Sequence, residues 1–307
     1  MIKVRHMTIE KIEICDLDVI YLSYDEPKKE EFWIKIQNMV PWAKRVDGVK
    51  GSDAAHKAAA AASYTDRFVL IDGDNLPYPE FFESELELTS ANNQCVFRWK
   101  ARNSINGLMY GNGGMSCWTK DFVNNMRTHE ASDGRTETLV EFCFDPKYFA
   151  MHDCYSVTYP NQSAEQAWRA GFREGVKMCL DRGRRPSVEE FEASVYKRNY
   201  DHLCIWQSVG ADVENGIHAM HGARTGTFMT MLSDWDYTLV QDFDFIKTFY
   251  KGTLTQSPDV IDHYTRQLKT RLGLPIVDFT AEQSRFFKHH YKTQYKHRGI
   301  MLTEQQA

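Results

Sequence analysis

The sequence predicts an α/β fold in which a mostly parallel central sheet is flanked by helices. Short apolar segments alternate with helical segments at intervals of about 20 to 25 residues, which is the pattern of β-α-β units. Each apolar segment runs directly into polar or acidic residues, as strands do in open sheets that bind ligands at their carboxyl ends. A chain of 307 residues with 42% hydrophobic residues is also long and apolar enough to bury a large core.

The N-terminal elements follow this order. A buried strand is predicted at Asp18–Ser23, followed by an amphipathic helix at Lys29–Met39 and a short strand at Ala43–Val46. An alanine-rich helix is predicted from Ser52 or Asp53 to about Ser63. The next strand, Phe68–Ile71, has β-branched and aromatic residues and ends in Asp72.

The later elements have weaker signals. Alternating apolar and basic residues predict a half-exposed strand at Cys95–Arg102. The glycines within Gly107–Trp118 indicate a loop pressed against a ligand, or else a hairpin turn at Asn112-Gly113. Ser163 and Gln166 have capping-box spacing and predict a helix start. We predict an α/β domain of residues 1–232 and a helical, basic C-terminal region of residues 233–307.

The segment Asp72-Gly73-Asp74 is the leading candidate for a site. Two carboxylates separated by a glycine at the end of a buried strand suit a divalent cation that bridges a diphosphate, because Mg²⁺ and Mn²⁺ prefer oxygen ligands. Gly73 would let the backbone and a ligand approach closely. The alternative is an ordinary turn, since aspartate, glycine and asparagine are common turn residues.

A second candidate is the start of the alanine-rich helix. Gly51 precedes it, and Lys50, His56 and Lys57 lie beside its first turns. A helix N-terminus with adjacent cations binds anions readily. Lys50, His56 and Lys57 therefore face either a ligand phosphate or solvent.

Other candidates are acids and histidines that lie further along the chain. Asp145 and Glu141 are each either a catalytic carboxylate or a structural acid. The glycine-punctuated stretch Ile205–Phe228 contains His218 and His221, and a histidine here would be a third ligand for a metal held by Asp72 and Asp74. The alternative is that these histidines are surface or packing residues.

Two basic segments predict contact with phosphates. Arg169 and Arg173 lie one turn apart on one face of the helix that follows Ser163. Near the C-terminus, Lys288 and Lys292 belong to a cationic segment with interleaved aromatic residues, a composition that suits nucleic acid. A solvated basic face is the alternative for each segment.

The chain has no apolar run that approaches the roughly 18 residues of a membrane span, and its first residues do not form a signal-peptide core. Seven scattered cysteines without a C-x-x-C pair are typical of reduced thiols. These features predict a soluble, cytoplasmic protein. The net charge of −5 gives no global nucleic-acid signature, so any basic surface must be local.

Together these motifs resemble a GT-A fold glycosyltransferase, a Rossmann-like family that uses nucleotide sugars. Val19–Asp25 is similar to the family's first strand, Val49–Lys57 to the loop and helix that close on the diphosphate, and Asp72-Gly73-Asp74 to its D-x-D motif. More narrowly, four segments resemble glycosyltransferases of tailed phages, including T-even-like enzymes that glucosylate or arabinosylate hydroxymethylcytosine in phage DNA. These segments are residues 23–27, 111–114, 167–175 and 221–224.

The resemblance implies roles for individual residues. Asp74 would ligate Mn²⁺ or Mg²⁺, and Asp72 would hold the metal or the ribose, with His221 as a further ligand. The UDP-sugar donor would contact Ser23, Tyr24, Asp25, Arg45, Lys50, Gly51, His56, Lys57, Gly73, Gly113 and Gly114. The acceptor would enter near Trp99 and Arg102, and Asp145, Glu141 or Glu137 would supply a base if the enzyme inverts.

Three classes of function follow from the sequence. The first is a metal-dependent glycosyltransferase that moves an arabinose- or glucose-type sugar to hydroxymethylated cytosine in double-stranded phage DNA. The second is the same enzyme class acting on a glycan, a protein or a small molecule. The third is a nucleotide- or nucleic-acid-binding module without catalytic activity.

Overall fold

The computed structural model describes residues 9–126, 145–252 and 257–291 of the chain. Glu137, Glu141 and Lys292, which the sequence singles out, lie outside these ranges. The strands are β1 (Glu10–Glu13), β2 (Asp18–Ser23), β3 (Lys44–Asp47), β4 (Arg67–Asp72), β5 (Asn75–Pro77), β6 (Glu85–Leu88), β7 (Val96–Asn103), β8 (Met109–Thr119) and β9 (Tyr148–Thr158).

The helices are α1 (Lys29–Met39), α2 (Ser52–Ala62), α3 (Lys120–Asn125), α4 (Ala164–Lys177), α5 (Phe191–Ser194), α6 (Lys197–Trp206), α7 (Gly216–Leu232), α8 (Phe243–Gly252), α9 (Pro258–Leu272) and α10 (Ala281–His290). Short 3-10 helices lie at Ile14–Asp16, Pro79–Glu83 and Tyr237–Gln241. Among the described residues, no helix combines the length and the apolar composition needed to cross a bilayer.

Seven strands form one sheet in the order β3-β2-β4-β8-β7-β9-β5. β2 pairs in parallel with β3 and β4, whereas β8 runs antiparallel to β4 and β7, and β9 runs antiparallel to β5. The predicted α/β class is therefore confirmed, with the parallel ladders in the N-terminal part of the sheet. β1 and β6 form a separate antiparallel pair.

Helices cover both faces of this sheet, which explains why β4 is apolar at every central position. Side chains alternate between the faces of a strand. Val69 and Ile71 enter a core with Phe32 and Ile36 of α1. Phe68 and Leu70 enter the opposite core, where the small residues Ala59 and Ala60 let α2 lie close to the sheet.

The described chain divides into two compact units. Unit 1 contains residues 9–102, 109–126 and 145–159, and therefore the sheet and helices α1 to α3. Unit 2 contains residues 103–108, 160–252 and 257–291, and is helical. The predicted boundary between residues 232 and 233 lies within unit 2, and the assignment of separate roles to its two sides stays a prediction.

The glycines of unit 2 allow α4 and α7 to pack backbone against backbone. Each helix carries two glycines four residues apart, and a Cβ atom at any of the four would overlap a carbonyl oxygen of the other helix. The separations would be 1.9 Å from Gly171 to Ala219, 2.3 Å from Gly175 to Ala223, 2.0 Å from Gly222 to Trp168 and 2.2 Å from Gly226 to Phe172. The interpretation of Ile205–Phe228 as a glycine-punctuated stretch is therefore corrected: much of it is one continuous helix, α7.

The His-Gly-Ala-Arg segment of α7, residues 221–224, also stabilises the packing of unit 2. The Arg224 guanidinium is 2% exposed and donates to the Gln207 carbonyl from Nε and Nη2, at 3.0 and 2.8 Å. It also donates to Asp278 and Thr265. Arg224 thus joins α7 to the end of α6, to α9 and to the segment before α10.

We expect Gly222→Ala to destabilise the protein by about 2–3 kcal/mol, because the added methyl group meets a backbone carbonyl that moves only if the helices separate. Urea denaturation followed by tryptophan fluorescence measures the loss. Gly252→Ala is the control, since a Cβ atom there has no neighbour within 4 Å. Equal denaturation midpoints for Gly222→Ala and the control would contradict this packing.

Candidate active site

The carboxyl ends of β2, β3 and β4 bring polar residues to one edge of the sheet. In the parallel ladders, Leu22 lies opposite Asp72 and Ser23 lies opposite Asp47. Asp72 ends β4, and Gly73 and Asp74 form the turn before β5. The Asp-Gly-Asp segment therefore lies where open α/β sheets place their ligand crevices.

A third carboxylate, that of Glu26, packs against the glycine of this turn. A Cβ atom at Gly73 would lie 2.5 Å from Glu26 Oε2, and the Tyr24 N–H donates to the same oxygen at 2.7 Å. Gly73 was predicted to let a ligand approach the backbone closely, and in this structure the group that lies closest is the Glu26 carboxylate. Glu26 was not among the predicted site residues, although it follows directly on the candidates Tyr24 and Asp25.

Burial and neighbouring charges raise the pKa of two of these carboxyls, those of Asp72 and Glu26. Burial is the main cause of the shift at Asp72, and the charges of Asp74 and Glu26 add to it, so that its pKa rises to about 8. Burial also raises the pKa of Glu26, with further contributions from Asp74 and Asp25, against the lowering effect of backbone hydrogen bonds. A cation bound here would relieve this repulsion, since an opposite charge favours the ionised form of a carboxyl.

Asp74 is held by neighbours that the sequence analysis also missed. Asn75 Nδ2 donates to Asp74 Oδ1 at 2.7 Å, and Thr158 Oγ1 donates to Oδ2 at 3.2 Å. On the other side of the turn, the buried Tyr21 hydroxyl donates to the Gly73 carbonyl at 2.9 Å. The Asp-Gly-Asp turn is therefore fixed by both β2 and β9.

A polar network occupies the ends of β2 and β3. Ser23 Oγ donates to Asp47 at 2.7 Å, Arg45 Nε donates to Ser23 Oγ at 3.0 Å, and Lys29 Nζ contacts Asp47 at 2.8 Å. The Arg45 guanidinium also forms a two-point contact with Glu30, with both distances 2.7 Å. Ser23 and Arg45 therefore lie together, Arg45 already has carboxylate partners, and contact of either residue with a nucleotide sugar stays a prediction.

Tyr24 and Asp25, which follow Ser23 in the predicted nucleotide site, are exposed. They lie in the segment between β2 and α1. Lys29 of α1 donates to the Tyr24 carbonyl at 2.7 Å, which ties this segment to the network described above.

The start of α2 has the predicted glycine and cations. Gly51 precedes the helix with a φ of +93°, a conformation that favours glycine. Lys50 is exposed, and Lys57 pairs with Asp53 one turn earlier at 2.6 Å. His56 Nδ1 lies 2.8 Å from the Ser52 carbonyl, and its ring packs edge-on against Trp118. Phosphate contact by these residues stays a prediction.

The predicted glycine loop is wrong in its secondary structure, because Gly111 to Gly114 lie within β8. Arg98 pairs with Ser116 and Lys100 with Gly111, so four residues of β8 oppose one residue of β7 and form a bulge. Ile71 pairs with Met115 on the other side of β8, which brings Gly113 and Gly114 beside the end of β4. A Cβ atom at Gly114 would lie 2.2 Å from Asn75 Nδ2.

The two predicted acceptor residues of unit 1 are Trp99, which is buried, and Arg102, which is half-buried. Trp99 is 3% exposed and packs edge-on against Phe81, with ring centroids 4.8 Å apart. It belongs to the core and offers no open ring face to an acceptor. Arg102 is half-buried, and its charge opposes the burial that raises the pKa of Tyr78 to about 12.

Asp145 does not share the site of Asp74. It lies before the first residue of β9, where Oδ1 accepts from the Lys147 N–H at 2.8 Å. Thr158, the partner of Asp74, ends the same strand. The ten steps of about 3.3 Å between the eleven residues of β9 place its two ends about 33 Å apart along the strand, and the role of Asp145 as a base beside the acceptor stays a prediction.

The remaining candidates belong to unit 2. His221 is half-buried on α7, where burial and the nearby Arg224 lower its pKa to about 4, and its role as a metal ligand stays a prediction. Arg169 and Arg173 lie over the Phe243 ring, 5.2 and 4.6 Å from its centroid. Lys288 pairs with Asp212 at 2.6 Å, with both side chains largely buried, which removes it from a DNA-contacting surface.

The acids of unit 1 fit a cation that arrives with a diphosphate. Among the described residues, no three His, Cys, Asp or Glu side chains are arranged to hold a metal ion. Mg²⁺ bound with a nucleotide needs only one or two carboxylates, because phosphates and waters supply its other oxygens. Asp72 and Asp74 provide that number of hard oxygen donors in a region of excess negative charge.

Comparisons with known proteins add little to this geometry. No family model and no curated protein matches the sequence. Among solved structures, the chain is similar to a glycosyltransferase involved in the glycosylation of the major capsid of PBCV-1, with 16% identity and a TM-score of 0.31, over 48% of this chain and 96% of that one. At these values the likeness carries no argument about activity.

We expect the metal-free protein to lose stability as the pH rises through about 8. The folded Asp72 carboxyl has a raised pKa of about 8, whereas unfolded aspartate titrates near 4, so between these values the folded state binds more protons. The stabilisation that the protonated Asp72 carboxyl gives the folded state is complete below about pH 4 and is lost as the pH rises through about 8. Thermal melts at both ends of that range, without divalent cations, measure the change in Tm.

Asp72→Asn should flatten this pH dependence and raise Tm at the alkaline end, because the amide carries no charge. Asp145→Asn is the control, since it removes an exposed carboxylate at the opposite end of β9. An unchanged slope in Asp72→Asn would show that Asp72 is not the group that titrates.

Proposed function

We propose that this protein is a metal-dependent glycosyltransferase that uses a UDP-sugar. The observation that carries the proposal is the arrangement of Asp72, Asp74 and Glu26 around Gly73 at the carboxyl ends of parallel strands, and the raised pKa of Asp72, caused by burial and by the charges of Asp74 and Glu26, supports it. An ordinary turn has no need to bring three partly buried acids together. A divalent cation and a diphosphate would give these acids a partner.

Asp74 and Asp72 would hold Mn²⁺ or Mg²⁺. When bound, the cation would neutralise charge on the diphosphate that leaves the sugar. Asn75 and Thr158 orient the Asp74 carboxylate before any ligand binds, and the Tyr21 hydroxyl donates to the carbonyl of Gly73 between the two acids. This arrangement lowers the cost of ordering the ligands when the donor binds.

The nucleoside would lie along the ends of β2 and β3. Ser23 and the exposed Tyr24 and Asp25 offer hydrogen-bonding groups there, and Arg45 stands beside Ser23. Lys50 and the first amides of α2 would add positive potential for the phosphates. Lys57 contributes less, since Asp53 pairs with it.

For the acceptor we propose hydroxymethylated cytosine in double-stranded DNA, with an arabinose- or glucose-type sugar. Support comes from the resemblance of the sequence motifs and from the adjacent cations Arg169 and Arg173 on α4. The internal ion pair of Lys288 with Asp212 favours the alternative, a glycan, protein or small-molecule acceptor, because it removes a cation from the basic surface.

We expect the wild-type protein with Mn²⁺ to release UDP from a UDP-sugar, and Asp74→Ala to lose nearly all of this activity, because the diphosphate then loses its cation. A screen of UDP-sugars, with and without hydroxymethylated DNA, measures UDP release. Glu31→Gln, which removes an exposed acid on α1, is the matched control and should retain activity. No release from any donor, or full activity in Asp74→Ala, would overturn the proposed function.

If duplex DNA is the acceptor, activity should fall steeply with salt, since lysine and arginine contacts to phosphates release counterions. Replacing both Arg169 and Arg173 by glutamine should weaken activity on DNA and reduce the salt dependence. Lys197→Gln on the exposed face of α6 is the control. Transfer to glycans or small molecules, and never to DNA, would establish the alternative acceptor.

A further inference from the structure

We propose that Asn75, Ser156 and Thr158 form a positioning network that sets the orientation of the Asp74 carboxylate for cation binding. The inference rests on the proposed function, in which Asp74 is a metal ligand. It assigns a role to residues of β5 and β9 that are not ligands themselves.

The network reaches both oxygens of Asp74. Asn75 Nδ2 donates to Oδ1 at 2.7 Å, and Thr158 Oγ1 donates to Oδ2 at 3.2 Å. Ser156 Oγ in turn donates to Asn75 Oδ1 at 3.2 Å. Only the NH₂ group of Asn75 can face a carboxylate favourably, so the hydrogen bonds themselves determine which way its amide points.

The backbone holds the same residues in register. Asn75 lies opposite Thr158 and Pro77 opposite Ser156 in the antiparallel pair of β5 and β9. The Tyr159 N–H donates to the Asp74 carbonyl at 2.7 Å, which extends this pairing by one residue into the Asp-Gly-Asp turn. Asp74 is thus fixed at its main chain as well as at its side chain.

All three network residues are buried, so their polar atoms have a structural reason to remain paired. Asn75 is 1% exposed, Ser156 is 0% exposed and Thr158 is 7% exposed. A buried polar group that loses its partner costs about 1–3 kcal/mol. Rotation of the Asp74 carboxylate away from Asn75 and Thr158 is therefore unfavourable.

Gly114 provides the space that the network needs. A Cβ atom there would lie 2.2 Å from Asn75 Nδ2, the atom that donates to Asp74. The glycine bulge of β8 and the orientation of Asp74 are therefore linked through one amide. This contact gives Gly114 a role in the site without direct contact between Gly114 and a ligand.

The consequence for cation binding follows from the lone pairs of the carboxylate. Each oxygen has two lone-pair directions, so it can accept a hydrogen bond from the network and still bind a cation. Loss of hydrogen-bonding partners that orient a metal ligand commonly lowers metal affinity by about 10–100-fold. The network therefore tunes affinity for the cation while the ligands themselves stay in place.

The test compares a variant that keeps the side-chain volume but lacks the hydroxyl group with a variant that keeps the hydroxyl group. Thr158→Val removes the donor to Asp74, whereas Thr158→Ser retains it. Electron paramagnetic resonance of free Mn²⁺, measured in the presence of UDP, gives the affinity without reference to catalysis. Asp74→Ala shows the effect of losing the metal-binding carboxylate. Thr270→Val, at an exposed position of α9, is the control for replacing threonine by valine. Thermal melts verify that each variant is folded.

We expect Thr158→Val to weaken Mn²⁺ binding by about 10-fold or more, and Thr158→Ser to bind within about 2-fold of the wild type. Ser156→Ala should weaken binding less, because it acts through Asn75. If Thr158→Val binds Mn²⁺ as tightly as the wild type and Asp74→Ala does not bind it, the positioning role of the network is overturned and the proposed function is not. Wild-type protein that binds no Mn²⁺ would overturn both.

Discussion

Three carboxylates meet around a glycine at the carboxyl ends of β2 and β4, and the surrounding structure is arranged to hold them there. Glu26 approaches Gly73 so closely that no side chain fits between them. Tyr21 holds the carbonyl of that glycine, and Asn75 and Thr158 hold the carboxylate of the next residue. Without a metal, burial and neighbouring charges raise the pKa of Asp72 and Glu26 and so favour their neutral forms, whereas a bound cation would favour the ionised forms.

Glycine serves two different purposes in the two units. In unit 1, Gly73 and Gly114 leave space for the polar groups of Glu26 and Asn75. In unit 2, glycines on α4 and α7 let two helix backbones touch. In both units a glycine marks a close approach, and the approaching group is part of the protein itself.

Much of the fold was predictable because its signals are local. β2 and α1 have the predicted bounds, and Ser163 caps α4 as expected, since hydrophobic period and capping chemistry are set by neighbouring residues. The glycines of β8 and α7 suggested loops, but pairing with β4 and packing on α4 override their weak local propensity. Asp72 and Asp74 were recognisable from their strand, whereas Thr158 contacts Asp74 from 84 positions further along the chain.

The central claim, that the Asp-Gly-Asp turn binds a divalent cation with a nucleoside diphosphate, is tested most directly by anomalous diffraction. Crystals soaked in MnCl₂ and UDP would be measured at the manganese absorption edge. The account predicts an anomalous peak in contact with the Asp72 or Asp74 carboxylate and with the diphosphate. UDP bound elsewhere, or an anomalous peak that contacts neither aspartate, would contradict it.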